Sequence, residues 1–338
     1  MTSYIEELRH AQLAWPQLIN THRAGSGTEL ACYAQAGSVI TVGSGCAAPV
    51  AKLAEIAFAT AGAKLTRTCT PFEVLTSGFR PDLACLISAK GDHVDILDCF
   101  AFLTGQAVPM IIVTLSPTSE LARRARTVSS LAQLIYPDTS LESRDNGFIP
   151  VLPTLALSSL VAFLFNDLTG ARFSLEDIFT TEGLRDCDHL QTTDPEWKGH
   201  LTILCTKWAE AGARDLETRM MESGLIPPTV CDPWNFGHGR YMPIATGASR
   251  AVLMSVPEDR PGIKIIRQQL PSKMLLADVV APQGGLWGGI YCIVWSMGFI
   301  GRLAALHGID PAVPAVPPWG DAFYNRGRYV TDNDERSS

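Results

Sequence analysis

The 338-residue chain is 46% hydrophobic and 18% charged, with a formal net charge of −7. These proportions exclude a disordered chain and describe a compact globular protein with length for two domains. The acidic balance, with no Lys/Arg run interleaved with aromatics, excludes a general nucleic-acid binder.

The N-terminus carries Glu6 and Glu7 and no apolar core, so it does not read as a signal peptide. Ile5, Leu8, Leu13 and Leu18 predict a helix over 3–22 that docks on the first domain, and Gly25-Ser26-Gly27 marks a loop. Nine cysteines are scattered along the chain and none is spaced C-x-x-C. Such spacing suits buried thiols in a reducing cytosol rather than a disulfide framework or a zinc site.

An α/β pattern follows. Ser38–Val42 is a short β-branched strand stopped by Gly43-Ser44-Gly45, and an alanine-rich helix runs over Cys46–Ala61. Strand, glycine turn and helix is the arrangement in which free N–H groups at a helix start meet an anion. It is not the dinucleotide fingerprint, because Ala48 stands where the third glycine is required. Candidate strands continue at Lys64–Thr68, Leu83–Ile87, Val108–Thr114 and Leu134–Tyr136. Helices are expected through Ile96–Leu103 and from an N-cap at Ser119. Repeated strand–loop–helix units predict a parallel sheet with its site at the C-terminal strand ends. A second apolar helix spans Leu155–Leu168, and the polar stretch 169–199 is the expected connection.

The second half repeats the first. Strands are predicted at His200–Cys205, Pro228–Cys231, Ala251–Val256 and Met274–Val280, with helices at Trp208–Ser223 and Arg260–Leu270. Between them stands Gly237-His238-Gly239-Arg240. Flanking glycines predict a histidine displayed in a tight, irregular loop, where its imidazole can move protons and Arg240 can hold an anion. Leu286–Leu306 is long and apolar enough to mimic a membrane span. Its glycines and its soluble setting read as a buried core helix instead. The prolines of 310–318 exclude a helix there and suit a segment wrapping a surface, and 332–338 is expected to be disordered.

Two α/β halves with these loops resemble the tandem sugar isomerase (SIS) family, as in the isomerase half of glucosamine-6-phosphate synthase. Gly43-Ser44-Gly45-Cys46-Ala47 matches the family's G-x-G-T-S turn, and Ser88-Ala89-Lys90-Gly91-Asp92-His93-Val94-Asp95 matches its S-x-S-G-E-T-x-D loop. A glutamate sixteen residues before H-G is matched by Glu222 and His238-Gly239. The resemblance implies two Rossmann-like doubly wound α/β domains, over 30–168 and 200–325, after an N-terminal helical segment (1–29). It implies Glu222 as the base in aldose–ketose isomerisation and His238 as the ring-opening acid/base. Gly43, Ser44, Gly45, Cys46, Ser88, Lys90, His93 and Arg240 would hold a phosphorylated sugar. No metal or redox cofactor, nucleic acid or membrane is called for, and a cytoplasmic homodimer is expected.

The departures are specific. Cys46 and Ala47 stand where the family has hydroxyls, Lys90 and His93 replace a serine and a threonine, and 311–324 contains no lysine. C–N or C–O cleavage of an amino or glycated sugar phosphate, and a non-catalytic sugar-phosphate sensor, therefore stay open. Cys46 reads as a packed thiol or as a helix-start nucleophile, Lys207 as a surface or a site lysine, and Trp234 and Trp319 as core, interface or site walls.

Overall fold

The computed structural model describes residues 3–19, 36–137, 148–169 and 199–324. The predicted loop at 25–27, the interior of the 169–199 connection, the tail from 326, and Cys32 and Cys187 lie outside them.

After helix α1 (Tyr4–Ile19) the first half alternates β1 (Ser38–Val42), α2 (Ala48–Ala61), β2 (Leu65–Cys69), α3 (Pro71–Thr76), β3 (Leu83–Ser88) and α4 (Val94–Gly105). It continues with β4 (Met110–Thr114), α5 (Glu120–Thr127), β5 (Ala132–Ile135) and α6 (Leu152–Thr169). All strand pairs are parallel, in the order β2-β1-β3-β4-β5. The second half comprises β6 (His200–Cys205), α7 (Glu210–Glu222), β7 (Pro228–Cys231), β8 (Ser249–Ser255), α8 (Arg260–Gln269), β9 (Leu275–Val280), α9 (Gly285–Leu306) and α10 (Pro318–Tyr324). Its parallel sheet runs β7-β6-β8-β9, which is the same order short of one strand. Both sheets are doubly wound, as the repeated strand–loop–helix reading required.

The alternation of side chains explains the layers. Val39, Leu83, Cys85, Ile87, Ile111 and Val113 point toward a central core that they share with Leu201, Ile203, Val252 and Met254 of the second sheet. Ile40, Val42, Leu86, Met110 and Ile112 point away, under α4 and α5. Strands buried on both faces carry apolar residues at nearly every position. The central layer between the sheets is built from α2, α6, α7 and α9.

The α9 helix is long and apolar enough to cross a membrane, and 83% of its most apolar window is buried in this layer. It is the core helix of the fold. Close contact with α7 depends on Gly212, where a Cβ would lie 2.5 Å from the carbonyl carbon of Cys292. The proline segment before α10 lies on its own chain, with the Phe148 N–H bonded to the Ala312 carbonyl and Ala312 buried.

Two helices escaped the sequence reading, α3 and α10. Thr70 caps α3 in a reciprocal box with Glu73, and Pro71 opens it, so its signal is a capping box rather than a periodicity. The stretch around His238 also differs from expectation. Asp232 accepts from the N–H groups of Trp234 and Asn235, capping one helical turn at Pro233–Asn235. Another turn follows at Met242–Ala245, and helical geometry breaks only at His238 and Gly239 (φ 92°). The upstream Pro233 starts a helix here because a first-turn proline gives up no needed N–H.

Candidate functional site

In a sheet ordered 2-1-3-4-5, the helices leave β1 and β3 toward opposite faces, and a crevice opens between these strand ends. The Gly43–Cys46 turn follows β1, and the Ser88–His93 loop follows β3.

Both loops pack closely around a glycine, the first against backbone and the second against side chains. A Cβ on Gly43 would sit 2.6 Å from the Ala47 carbonyl oxygen, so only glycine lets the chain fold back here. Gly45 adopts φ 54° and begins a short 3₁₀ turn leading into α2. The exposed Ser44 makes no side-chain capping bond. In the second loop Gly91 adopts φ 70° and faces Ser119, whose Cβ would lie 2.8 Å from an added methyl. The Ser88 hydroxyl accepts from the Gly91 N–H at 3.1 Å, and the Thr114 hydroxyl donates to the Ala89 carbonyl at 3.3 Å. Ser119 caps α5 by accepting from the Ala122 N–H, as its sequence predicted. Lys90 is exposed at the loop tip. His93 is the N-cap of α4, with Nδ1 accepting from the Asp95 N–H and lying 3.5 Å from the Asp95 carboxylate. Its first task is therefore structural.

The second half reaches this crevice through the last residue of α7. Oε1 of Glu222 lies 3.7 Å from the position that a Cβ on Gly45 would take. A glutamate from the second sheet thus meets the glycine turn of the first. Burial pushes the half-buried Glu222 carboxyl up to about 7, with Arg219 pulling it down and Asp215 pushing it up. A carboxyl poised near neutrality both takes and returns a proton.

His238 and Arg240 lie elsewhere. His238 is exposed and lines a cleft of about 1020 Å³ with Trp234, Phe236, Tyr241, Ile265 and Met274. Neither Glu222 nor the Gly43–Cys46 turn lines that cleft. Arg240 is exposed, and its charge is felt by Cys231 at the end of β7. The sixteen-residue spacing therefore places Glu222 and His238 on neighbouring structures without joining them in one cleft.

Cys46 is half-buried at the start of α2. Lys207 opens the 3₁₀ turn before α7 at φ 26°, with its ammonium 5.8 Å from the ring centre of Trp208. Trp234 is 82% exposed and Trp319 67% exposed, so neither is a core residue of the single chain.

Sequence reasoning passed over Asp215 and Arg219, which lie beneath Glu222 on α7. Their i,i+4 spacing reads as an ordinary surface ion pair, whereas both side chains are only 2% exposed.

No protein-family model matches the sequence, and no curated protein matches it. Solved structures do match in fold. A glucosamine-6-phosphate deaminase from Thermotoga maritima aligns with a TM-score of 0.69 at 18% identity, over 93% of this chain and 98% of that one. A tagatose-6-phosphate ketose/aldose isomerase from Escherichia coli gives 0.68 at 15% identity, over 94% and 97%. The C-terminal domain of a glucosamine-fructose-6-phosphate aminotransferase from Francisella tularensis gives 0.69 at 11% identity, over 92% and 98%. The chain therefore shares the fold of these structures over 92% to 94% of its length.

Proposed function

We propose that this chain binds a phosphorylated sugar at the β1/β3 crevice and interconverts its aldose and ketose forms by enolisation, with Glu222 as the base. The observation that carries this reading is the meeting of Glu222 with the Gly45 turn, its carboxyl poised near neutrality. Moving a proton between adjacent sugar carbons needs a carboxyl that accepts it and gives it back, and no metal or redox group is required. The turn at Gly43, Ser44, Gly45 and Cys46 starts a helix, which favours an anion, and Lys90 adds a positive charge. Ser88 and His93 shape the facing loop. Among the structural neighbours, the names of the deaminase and the tagatose-6-phosphate isomerase support a phosphorylated sugar as ligand.

Within one chain His238 and Arg240 stand outside the Gly45 group, so the roles of His238 as acid/base at the ring oxygen and of Arg240 in stabilising developing charge belong to this proposal only through a second copy of the chain that presents them to the crevice. His238→Ala tests that role separately from the proton transfer. A homodimer in a reducing compartment is part of the same proposal.

The test is deuterium exchange into a panel of sugar phosphates. Glu222→Gln should lower exchange by about 10²-fold or more, the usual contribution of a positioned base. Full exchange in that variant would reject Glu222 as the base.

A second reading, C–N or C–O cleavage of an amino or glycated sugar phosphate, draws on the absence of lysine in 311–324 and on the neighbour named as a deaminase. Release of a free amine without aldose–ketose interconversion would select it. Tight binding with no turnover of any kind would select a sensor.

A further inference from the structure

Beneath Glu222 lies a polar cluster inside an otherwise apolar layer. Arg219 donates from Nε to Asp215 at 2.7 Å, from Nη1 to the Tyr4 hydroxyl at 3.2 Å, and from Nη2 to the Pro150 carbonyl at 3.0 Å and the Thr154 hydroxyl at 3.2 Å. Asp215 also accepts from the Ser296 hydroxyl. Tyr4 donates onward to the Met297 carbonyl at 3.4 Å. One guanidinium thereby ties α7 to α1, to α6 and Pro150 just ahead of it, and, through Asp215 and Tyr4, to α9. A charged pair this deep adds little net stability compared with apolar residues of the same volume, so its presence asks for another role.

We propose that the buried Asp215–Arg219 pair, anchored by Tyr4, Thr154 and Ser296, is the positioning device that fixes the last turn of α7 and sets the field in which Glu222 works. This deepens the reading of Glu222 as the base and rests on it. Geometry makes the connection direct, because Glu222 follows Arg219 by three residues and lies on the same side of the helix. Arg219 and Asp215 are the charges that Glu222 feels, the first pulling its carboxyl down and the second pushing it up.

The other titratable groups around α7 have other partners or lie at other places. On α2, Lys52 pairs with Glu55 and reaches Glu210 at the opposite end of α7. On α1, Glu7 is felt by Tyr4. Cys292 on α9 and Cys231 on β7 are thiols held protonated by burial. The turn that faces Glu222 brings Ser44, Gly45 and Cys46 and no formal charge. Changing the pair should therefore change Glu222 in a direction set by which charge is removed.

The experiment titrates Glu222 in the full chain, by ¹³C-carboxyl NMR with the signal assigned by its loss in Glu222→Gln. Asp215→Asn leaves the Arg219 charge unopposed, and the Glu222 midpoint should fall by on the order of one pH unit. The double variant Asp215→Leu/Arg219→Met removes both charges while keeping an apolar filling that a folded chain tolerates. There the stronger pull of Arg219 is lost, and the midpoint should rise. Movement in opposite directions upholds the proposal. An unmoved midpoint, or movement in one direction in both variants, overturns it. If Asp215→Asn does not fold, the double variant decides alone, with an unchanged or lowered midpoint overturning the proposal. The titration needs no substrate, so full exchange in Glu222→Gln would reject Glu222 as the base and leave the positioning result standing.

Discussion

Glu222 carries a stability cost that follows from its chemistry. Its carboxyl ionises near 4.5 when free and near 7 in the folded chain. Between these values the folded state keeps a proton that the unfolded state has lost, so stability falls as pH rises across that window. Glu222→Gln removes the dependence. Denaturant titrations should find the variant matching the parent at pH 4 and more stable by about 1–3 kcal/mol at pH 8.5, the lower end reflecting partial solvent access. A parent and a variant with equal stability at both pH values would contradict the raised carboxyl. At this scale the sequence was partly legible. The spacing of Glu222 from His238-Gly239 singled out both residues, and the Gly43 and Gly45 turn could be read from strand, glycine and helix in succession. Asp215 and Arg219 were not legible, because a charged pair one turn apart looks the same in a sequence whether water or protein surrounds it.

Among the elements, α7 and α9 decide the geometry of the centre. Gly212 lets them touch, since an added Cβ would meet the Cys292 backbone. Gly212→Ala should therefore destabilise the fold by about 1–3 kcal/mol through forced separation, despite the better helix propensity of alanine. A lower urea midpoint at unchanged slope is the expected result, and an unchanged or higher midpoint would deny the close contact. Separation of α7 should also lower sugar-phosphate exchange, because Glu222 ends that helix. Strands were the clearest elements in the sequence, being short apolar runs followed by glycine or polar loops. The short α3 was missed because six residues show no period, and α10 because the preceding prolines hid it. The His238 stretch was read as wholly irregular, since glycine and proline also occur inside helical turns when a cap such as Asp232 starts them.

For the molecule as a whole, the crevice joins a turn of the first sheet to a helix of the second. A ligand bound there contacts both halves and should stabilise them together. At a hundred times its dissociation constant a sugar phosphate should add about 2.7 kcal/mol, read as a rise in Tm. Gly45→Val should abolish that rise, because a β-branched residue does not adopt φ 54° and its side chain would point toward Glu222. Retention of the full shift in Gly45→Val would place the ligand elsewhere, with the cleft beside His238 the next location to test.

The sequence by itself determined the two α/β halves, their parallel strands, the buried character of α9 and the two loops at the crevice. Each of these rests on local pattern: apolar runs, glycine turns and caps act on neighbours in the chain. Only the tertiary structure decided that Glu222 reaches the Gly45 turn, that His238 lines a cleft without Glu222, and that Asp215 and Arg219 are buried beneath Glu222. Those facts depend on how α7 packs between two sheets, and burial rather than spacing turns an ordinary helix-end acid into a group that exchanges its proton near neutral pH.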